Sequence, residues 1–398
     1  MVISALVFLL ILSVLVLIHE AGHYFTAKKF GIKVEEFGFG FPLTPAIWQK
    51  KVGETVYSFY PLLIGGFVKL YGEDEAGAGR VEAAKEEKKP SKKDLERAFF
   101  SKPLWQRSVV IVAGVVMNTL LAIVIFYVYM FLANFQAQVP KLPQVTDKTY
   151  TFIGVNQFDE NQVLITDVAK GSPADSLGIT PGSIVTSVNG APVTSLKQFS
   201  DTVKNNAGTE TSFTWTSIES QEEKEGTATP RVNPPADEGS LGVALYENAA
   251  ITLKYETPTQ QALSGIVHPI NLMGYQFFML GNLINQSVEE KDATPVTNNV
   301  SGPLGILYIV NIIVDFPDLK EAVLQLLNLA GLLSLSLAFF NILPIPGLDG
   351  GRFAFILFES ITGRKIDPKV EGYIHGAGMV LLLGLLLLVT IKDIKMFF

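Results

Sequence analysis

Four runs of apolar residues, each about as long as a bilayer is thick, decide most of what this chain can become. The first, residues 2–18, is almost wholly apolar, and with HEAGHYFTA behind it reaches the roughly 20 residues that a helix needs to cross hydrocarbon. Residues 109–132, 322–343 and 374–391 are the other three. No water inside a bilayer can satisfy an open backbone, so such runs must be helices. Composition agrees, since 48% hydrophobic and 17% charged residues over 398 positions are too apolar for an ordinary soluble enzyme. No Lys or Arg precedes the first run and no small-residue cleavage site follows it, which argues for a retained span over a signal peptide. Residues 266–284 and 304–314 are weaker segments, the former interrupted by Pro269 and the latter short, and read as interfacial or re-entrant pieces.

Charge sets the expected orientation. The segment between the first two spans holds Lys28, Lys29, Lys50, Lys51 and Lys102 close to the membrane ends, so it is expected in the cytosol. The long segment between spans two and three is dominated by acidic residues, as a translocated domain would be, and both termini are then extracytoplasmic. Arg352, Arg364, Lys365 and Lys369 between spans three and four agree, whereas Lys392 and Lys395 dissent mildly. The formal charge of -7, with no basic stripe interleaved with aromatics, excludes a nucleic-acid partner from this reading. The partner it requires is the lipid bilayer.

The strongest chemical signal is His19-Glu20-Ala21-Gly22-His23. Histidines four apart share one helical face, about 6 Å apart along the axis, and can grip one ion while Glu20 reaches a water on it. Three ionisable residues inside a membrane helix are each expensive unless paired or metal-bound, so they point to function. The chain has no cysteine and only two further histidines, His268 and His375, so a catalytic zinc needs a third ligand from Asp, Glu or His. Depth selects among them. His19 lies roughly 26 Å down the first span at 1.5 Å per residue, toward the cytosolic end. Span three runs the same way and ends in Asn341-Ile342-Leu343-Pro344-Ile345-Pro346-Gly347-Leu348-Asp349-Gly350-Gly351, which brings Asp349 to the same leaflet. Pro344 and Pro346 stop the helix there and the glycines permit a tight turn. Asn341 either binds a substrate backbone or hydrogen-bonds a neighbouring helix. His268 falls in the opposite leaflet, and His375 reads as a packed or interfacial residue. Were residues 266–284 a further full span, Asp349 would lie in the wrong leaflet.

HEAGH, the NILPIPGLDGG run and the four-span frame together resemble the site-2 protease family of intramembrane zinc metalloproteases, in its bacterial sigma-factor-regulating branch. The resemblance implies zinc on His19, His23 and Asp349 and a catalytic base in Glu20. It implies transmembrane protein substrates: single-span regulatory proteins already shortened by another protease, such as anti-sigma factors, or remnant signal peptides. It also implies a bacterial cytoplasmic (inner) membrane location. Gly65-Gly66-Phe67-Val68-Lys69 resembles the family's membrane-dipping β-loop element, so Gly65, Gly66 and Phe67, with Asn341 and Pro344, are candidate substrate contacts. An ordinary cytosolic hairpin is the other reading of that stretch. Ser301-Gly302-Pro303 resembles a further family element of unassigned role.

Between spans two and three, Gly171-Ser172-Pro173-Ala174 and the stretch from Leu177 to Gly190 resemble a PDZ domain, with Ser183 where an Asp is usual. Physically it reads as a capped helix, a Pro-Gly turn, an alternating strand and an Asn-Gly turn. The expected fold is therefore a polytopic α-helical membrane protein with four transmembrane helices, an inserted extracytoplasmic PDZ-like α+β domain and a membrane-associated β-loop. Residues 1–27 form helix 1 with HExxH, 28–107 the cytosolic β-loop region and charged linker, and 108–133 helix 2. Residues 150–255 form the PDZ-like domain, 260–318 an amphipathic or interfacial segment, 320–351 helix 3 with the LDG motif, and 373–392 helix 4. Residues 72–97, mixed in charge and without apolar periodicity, read as a solvated linker. A membrane metal-ion carrier or a PDZ scaffold without proteolysis is the alternative, which Glu20 beside the two histidines disfavours. Oligomeric state is not legible.

Overall fold

The computed structural model describes residues 1–42, 44–73, 92–140, 150–217, 222–235, 238–364 and 366–397. They fall into two compact units, Met1–Asn134 with Ala262–Phe398, and Phe135–Gln261. Among the described residues four helices are long and apolar enough to cross a membrane.

The first of these is α1 (Val2–Lys29). Past Gly31 the chain builds a four-stranded sheet from β1 (Val34–Phe41), β2 (Trp48–Val52), β3 (Thr55–Phe59) and β4 (Leu62–Leu70). The strand order is β2-β3-β1-β4, which leaves β4 as an edge strand. A short α2 (Lys92–Glu96) then precedes α3 (Leu104–Leu132). Ala27, Ile32, Val34, Leu70, Phe99, Val110, Ile111 and Ile356 form one buried cluster, so the sheet is clamped to the helix ends by apolar burial.

Polar contacts reinforce that clamp. Glu54, in the β2–β3 turn, accepts from Lys28 at 2.6 Å and from Arg97 at 2.6 and 2.8 Å. Glu73 accepts from Arg352 at 2.6 Å. The stretch expected to be a solvated linker is thus tied down at both ends, while its residues 74–91 lie outside the described ones. Hydrogen bonds from Arg97, helped by Lys28, hold the Glu54 carboxyl at about 2 instead of its ordinary 4.5. A depressed carboxylate contributes stability in full above its unfolded value and loses it as pH falls through the folded one. The Tm of Glu54→Gln is therefore expected to lie below that of wild type at neutral pH. The gap should close as pH falls from 4.5 towards about 2. A gap that ignores pH in thermal melts of the two proteins would contradict the ionic origin.

The second unit holds a mixed α+β domain. Its strands are β5 (Gln136–Pro140), β6 (Asn156–Val168), β7 (Ser183–Val188), β8 (Ala191–Pro192), β9 (Thr211–Ser217), β10 (Glu223–Ala228) and β11 (Val243–Lys254), with α4 (Pro173–Ser176) and α5 (Leu196–Asn205). The sheet order is β10-β9-β7-β6-β11-β5, with β8 paired to β7. Val163, Ile165, Val185, Phe199, Phe213 and Trp215 are among its buried core. Ser172 caps α4 by accepting from the Asp175 N–H at 3.1 Å, and Asn189 and Gly190 both have positive φ in the turn between β7 and β8. The domain begins earlier than residue 150, because β5 directly after the second apolar helix pairs with β11.

The chain continues through α6 (Pro258–Glu290), α7 (Thr294–Asn299), α8 (Pro303–Val314), α9 (Leu319–Ile342), α10 (Asp349–Thr362) and α11 (Pro368–Phe397). Residues 266–284 thus lie within one 33-residue helix that continues through Pro269 and is not among the four candidate spans. His268 on α6 is buried against the rings of Phe126 and Tyr129, away from the other histidines. At the Ser301-Gly302-Pro303 element, the buried Asp393 of α11 accepts from the N–H groups of Gly302 and Gly305 at 2.9 and 2.8 Å. Lys392 beside it donates to the carbonyls of Thr297 and Val300. That gives the element a structural role, and it gives Lys392, which dissented from the charge pattern, a local reason to be where it is.

Central to the first unit is α3. Ser334 of α9 donates to the backbone carbonyl of Asn118 at 2.8 Å, and Gly331 of α9 faces the Phe126 ring. Arg107 of α3 pairs with Glu359 of α10, with both side chains mostly buried. The α1 backbone approaches closely enough that a Cβ on Gly22 would lie 2.5 Å from the Ala113 carbonyl oxygen.

Candidate metal centre

His19 and His23 stand one turn apart on α1, with ring centroids 4.8 Å apart. Asp349 reaches them from a different element than the sequence suggested. The third apolar helix ends at Ile342, Pro344 and Pro346 prevent its continuation, and Asp349 opens the new helix α10. The connecting turn is fixed at Gly347, whose φ of +97° favours glycine and whose N–H donates to His375 Nδ1 at 2.9 Å.

Three ligand atoms converge as a result. His19 Nε2 lies 3.0 Å from Asp349 Oδ2, His23 Nε2 lies 3.3 Å from the same oxygen, and the two Nε2 atoms are 3.2 Å apart. The edge of a tetrahedron with bonds of 2.0–2.1 Å is about 3.3 Å, so this triangle has the dimensions of one face of a zinc coordination sphere. Two imidazole nitrogens at such range need a cation or a proton between them.

Beside the triangle is a cavity of about 260 Å³ lined by residues that include Val16, His19, Glu20, Asn118, Asn341 and Asp349. Gly65 and Gly66 of β4 also border it. The β4 backbone passes so close that a Cβ on Gly66 would lie 3.3 Å from Glu20 Cγ. Of the residues expected to contact substrate, Asn341, Gly65 and Gly66 therefore line the cavity. Phe67 and Pro344 do not line it: the Phe67 ring covers Gly38 within the sheet, and Pro344 serves to end the third span.

The whole frame has known relatives. The model of peptidase family M50 matches residues 7–385. The chain belongs to this family. It is 28% identical to metalloprotease MmpA of Caulobacter vibrioides over 97% of this chain and 94% of that one. Zinc metalloprotease RasP of Shouchella clausii is 27% identical with 99% of both chains covered, and RasP of Geobacillus kaustophilus is 25% identical over 99% and 98%. The chain is accordingly an M50 intramembrane zinc metalloprotease of the site-2 type, embedded in a bacterial membrane.

The residues present fit the metal of an M50 protease. His23 Nδ1 lies 2.8 Å from the Val110 carbonyl, which can only accept, so Nδ1 carries the proton and the Nε2 lone pair is left free for an ion. His19, His23 and Asp349 form a group whose ligand atoms all lie within 4.8 Å of one another. Sequence reasoning missed Gly114 of α3. A Cβ there would sit 2.4 Å from His23 Nε2 and 2.6 Å from His19 Cε1, so the position makes room for both rings. It also missed the part His375 plays in holding the Asp349 turn. A glycine inside an apolar helix was the one visible signal for Gly114, and for His375 there was none.

Proposed function

We propose that His19, His23 and Asp349 hold the catalytic zinc of this protease, with Glu20 as general base and a single-span membrane protein as substrate. The convergence of three ligand atoms within 3.0 to 3.3 Å, beside a cavity that Glu20 also lines, carries the reading. Bound zinc supplies Lewis acidity, lowering the pKa of water from 15.7 toward about 7 and polarising the scissile carbonyl. Glu20 takes the proton of the attacking water and returns it to the leaving amine.

A helical substrate hides its peptide bonds and must be opened before it is cut. Supporting capture in extended form, β4 is an edge strand whose Gly65 and Gly66 border the cavity, so a substrate segment can add to it through backbone hydrogen bonds. Asn341, which lines the same cavity, then holds a substrate amide. The basic residues between α1 and α3 support a cytoplasmic position for the sheet, extracytoplasmic termini and a multi-pass chain in the cytoplasmic membrane. Residues 135–261 are then a single PDZ-like extracytoplasmic domain, supported by the capped α4 and the Asn189-Gly190 turn. Its role is to admit or exclude substrates, such as anti-sigma factors shortened by an earlier cut or remnant signal peptides.

The test is reconstitution of the purified protein in liposomes with a tagged single-span substrate. Cleavage is expected to stop on chelation and return with zinc. A protein that binds zinc but cuts no single-span substrate would instead be a metal carrier.

A further inference from the structure

One buried polar group beside the triangle has unmet hydrogen-bonding capacity. Asn118 lies in the middle of α3, fully shielded, with apolar residues from Val109 to Met117 before it. Its Nδ2 is 3.4 Å from His19 Nδ1, and its Oδ1, also buried, has no hydrogen-bond partner. A buried unsatisfied amide oxygen is costly anywhere and more so at membrane depth. The two ends of an asparagine amide have nearly the same shape, so turning it over exchanges donor for acceptor at the same place.

The two orientations suit two tautomers of His19. With the amide N–H facing the ring, Nδ1 accepts and the neutral imidazole keeps its proton on Nε2, where it blocks a metal. With Oδ1 facing the ring, Nδ1–H donates to Asn118, the orphaned oxygen gains its partner, and the Nε2 lone pair is free. His23 already follows the second pattern through the Val110 carbonyl. Val110, Gly114 and Asn118 are spaced four apart on α3, so one helical face carries an acceptor for each ligand histidine and a gap for both rings between them.

We propose that Asn118 is the positioning residue for His19, its side-chain carbonyl accepting a hydrogen bond from Nδ1–H so that Nε2 is held ready for the metal. The inference rests on the assignment of His19 as a zinc ligand. Its test is the zinc affinity of purified full-length protein, measured by competition with a chromophoric chelator, for wild type, Asn118→Ala, Asn118→Asp and His19→Ala.

Loss of such an outer partner weakens metal binding by about 10–100-fold, and that is expected for Asn118→Ala, with cleavage recovering as zinc is raised. Asn118→Asp keeps an acceptor at the same reach and is expected to bind zinc at least as tightly as wild type. Asn118→Ala with wild-type affinity would overturn the proposal, and a loss of turnover at saturating zinc would then assign Asn118 to the substrate. Asn118→Asp binding as weakly as the alanine variant would overturn it too, and remains decisive if Asn118→Ala does not fold. If His19→Ala itself keeps wild-type affinity, the ligand assignment has failed; if only Asn118→Ala does, the positioning role alone has failed.

Discussion

Glu20→Gln is expected to lower cleavage by about 10²–10⁴-fold while leaving the zinc content of the protein unchanged, since a general base contributes on that scale. Glu20 follows His19 directly on α1 and lines the same cavity as His19 and Asp349, but it does not belong to the three-atom ligand group. Glutamine preserves its volume and removes its ability to take a proton. Turnover of a single-span substrate and metal content, measured on the same preparation, check both halves of the expectation. A variant with wild-type turnover would remove Glu20 from the chemistry, and a variant that lost its zinc would make it a ligand.

Gly114→Ala is expected to be as damaging, from a position that is neither in the three-residue group nor among the residues lining the cavity. The added methyl would come within 2.4 Å of His23 Nε2 and 2.7 Å of His19 Nε2, distances at which something must move. What it meets are the rings of the two proposed ligands, so relief comes only by displacing one of them, and misplacement by about 1 Å can cost 10²-fold in rate. In an exposed helix the same substitution would favour the fold, by roughly 1 kcal/mol of helix propensity. The combination expected is therefore a folded protein with little fall in Tm and at least a roughly 100-fold loss of turnover. Thermal melts together with turnover separate this from general destabilisation, and an active Gly114→Ala protein would mean that the histidine pair has room to spare.

The long-range frame was open to reading because its causes are written along the chain. Four apolar runs of bilayer length became the four helices long and apolar enough to cross a membrane, and depth counted along the first and third led to Asp349 as the partner of His19 and His23. Other features depend on contacts between segments far apart in sequence. Pro344 and Pro346 announce that the third helix stops, but that Asp349 then begins a new one depends on a turn whose Gly347 N–H is bound by His375, 28 residues further on. Gly114 and Asn118 look like a small residue and a stray amide in an apolar run until α1 is laid against α3. The strand β5 was hidden for a different reason: it follows the second apolar helix almost at once, and its partner among the described residues is β11, more than a hundred residues later. Asp393 and Lys392, likewise, read as an acidic and a basic residue near a helix end, and only packing reveals that they hold the approach to α8.

The three-ligand zinc site is tested most directly by metal analysis of purified wild type beside Glu20→Gln, His19→Ala, His23→Ala and Asp349→Ala. Zinc near one ion per chain is expected in wild type and Glu20→Gln, falling below about a tenth of that in each of the other three, since a catalytic zinc with two protein ligands left is weakly held. Full zinc retained by Asp349→Ala would contradict the site as drawn.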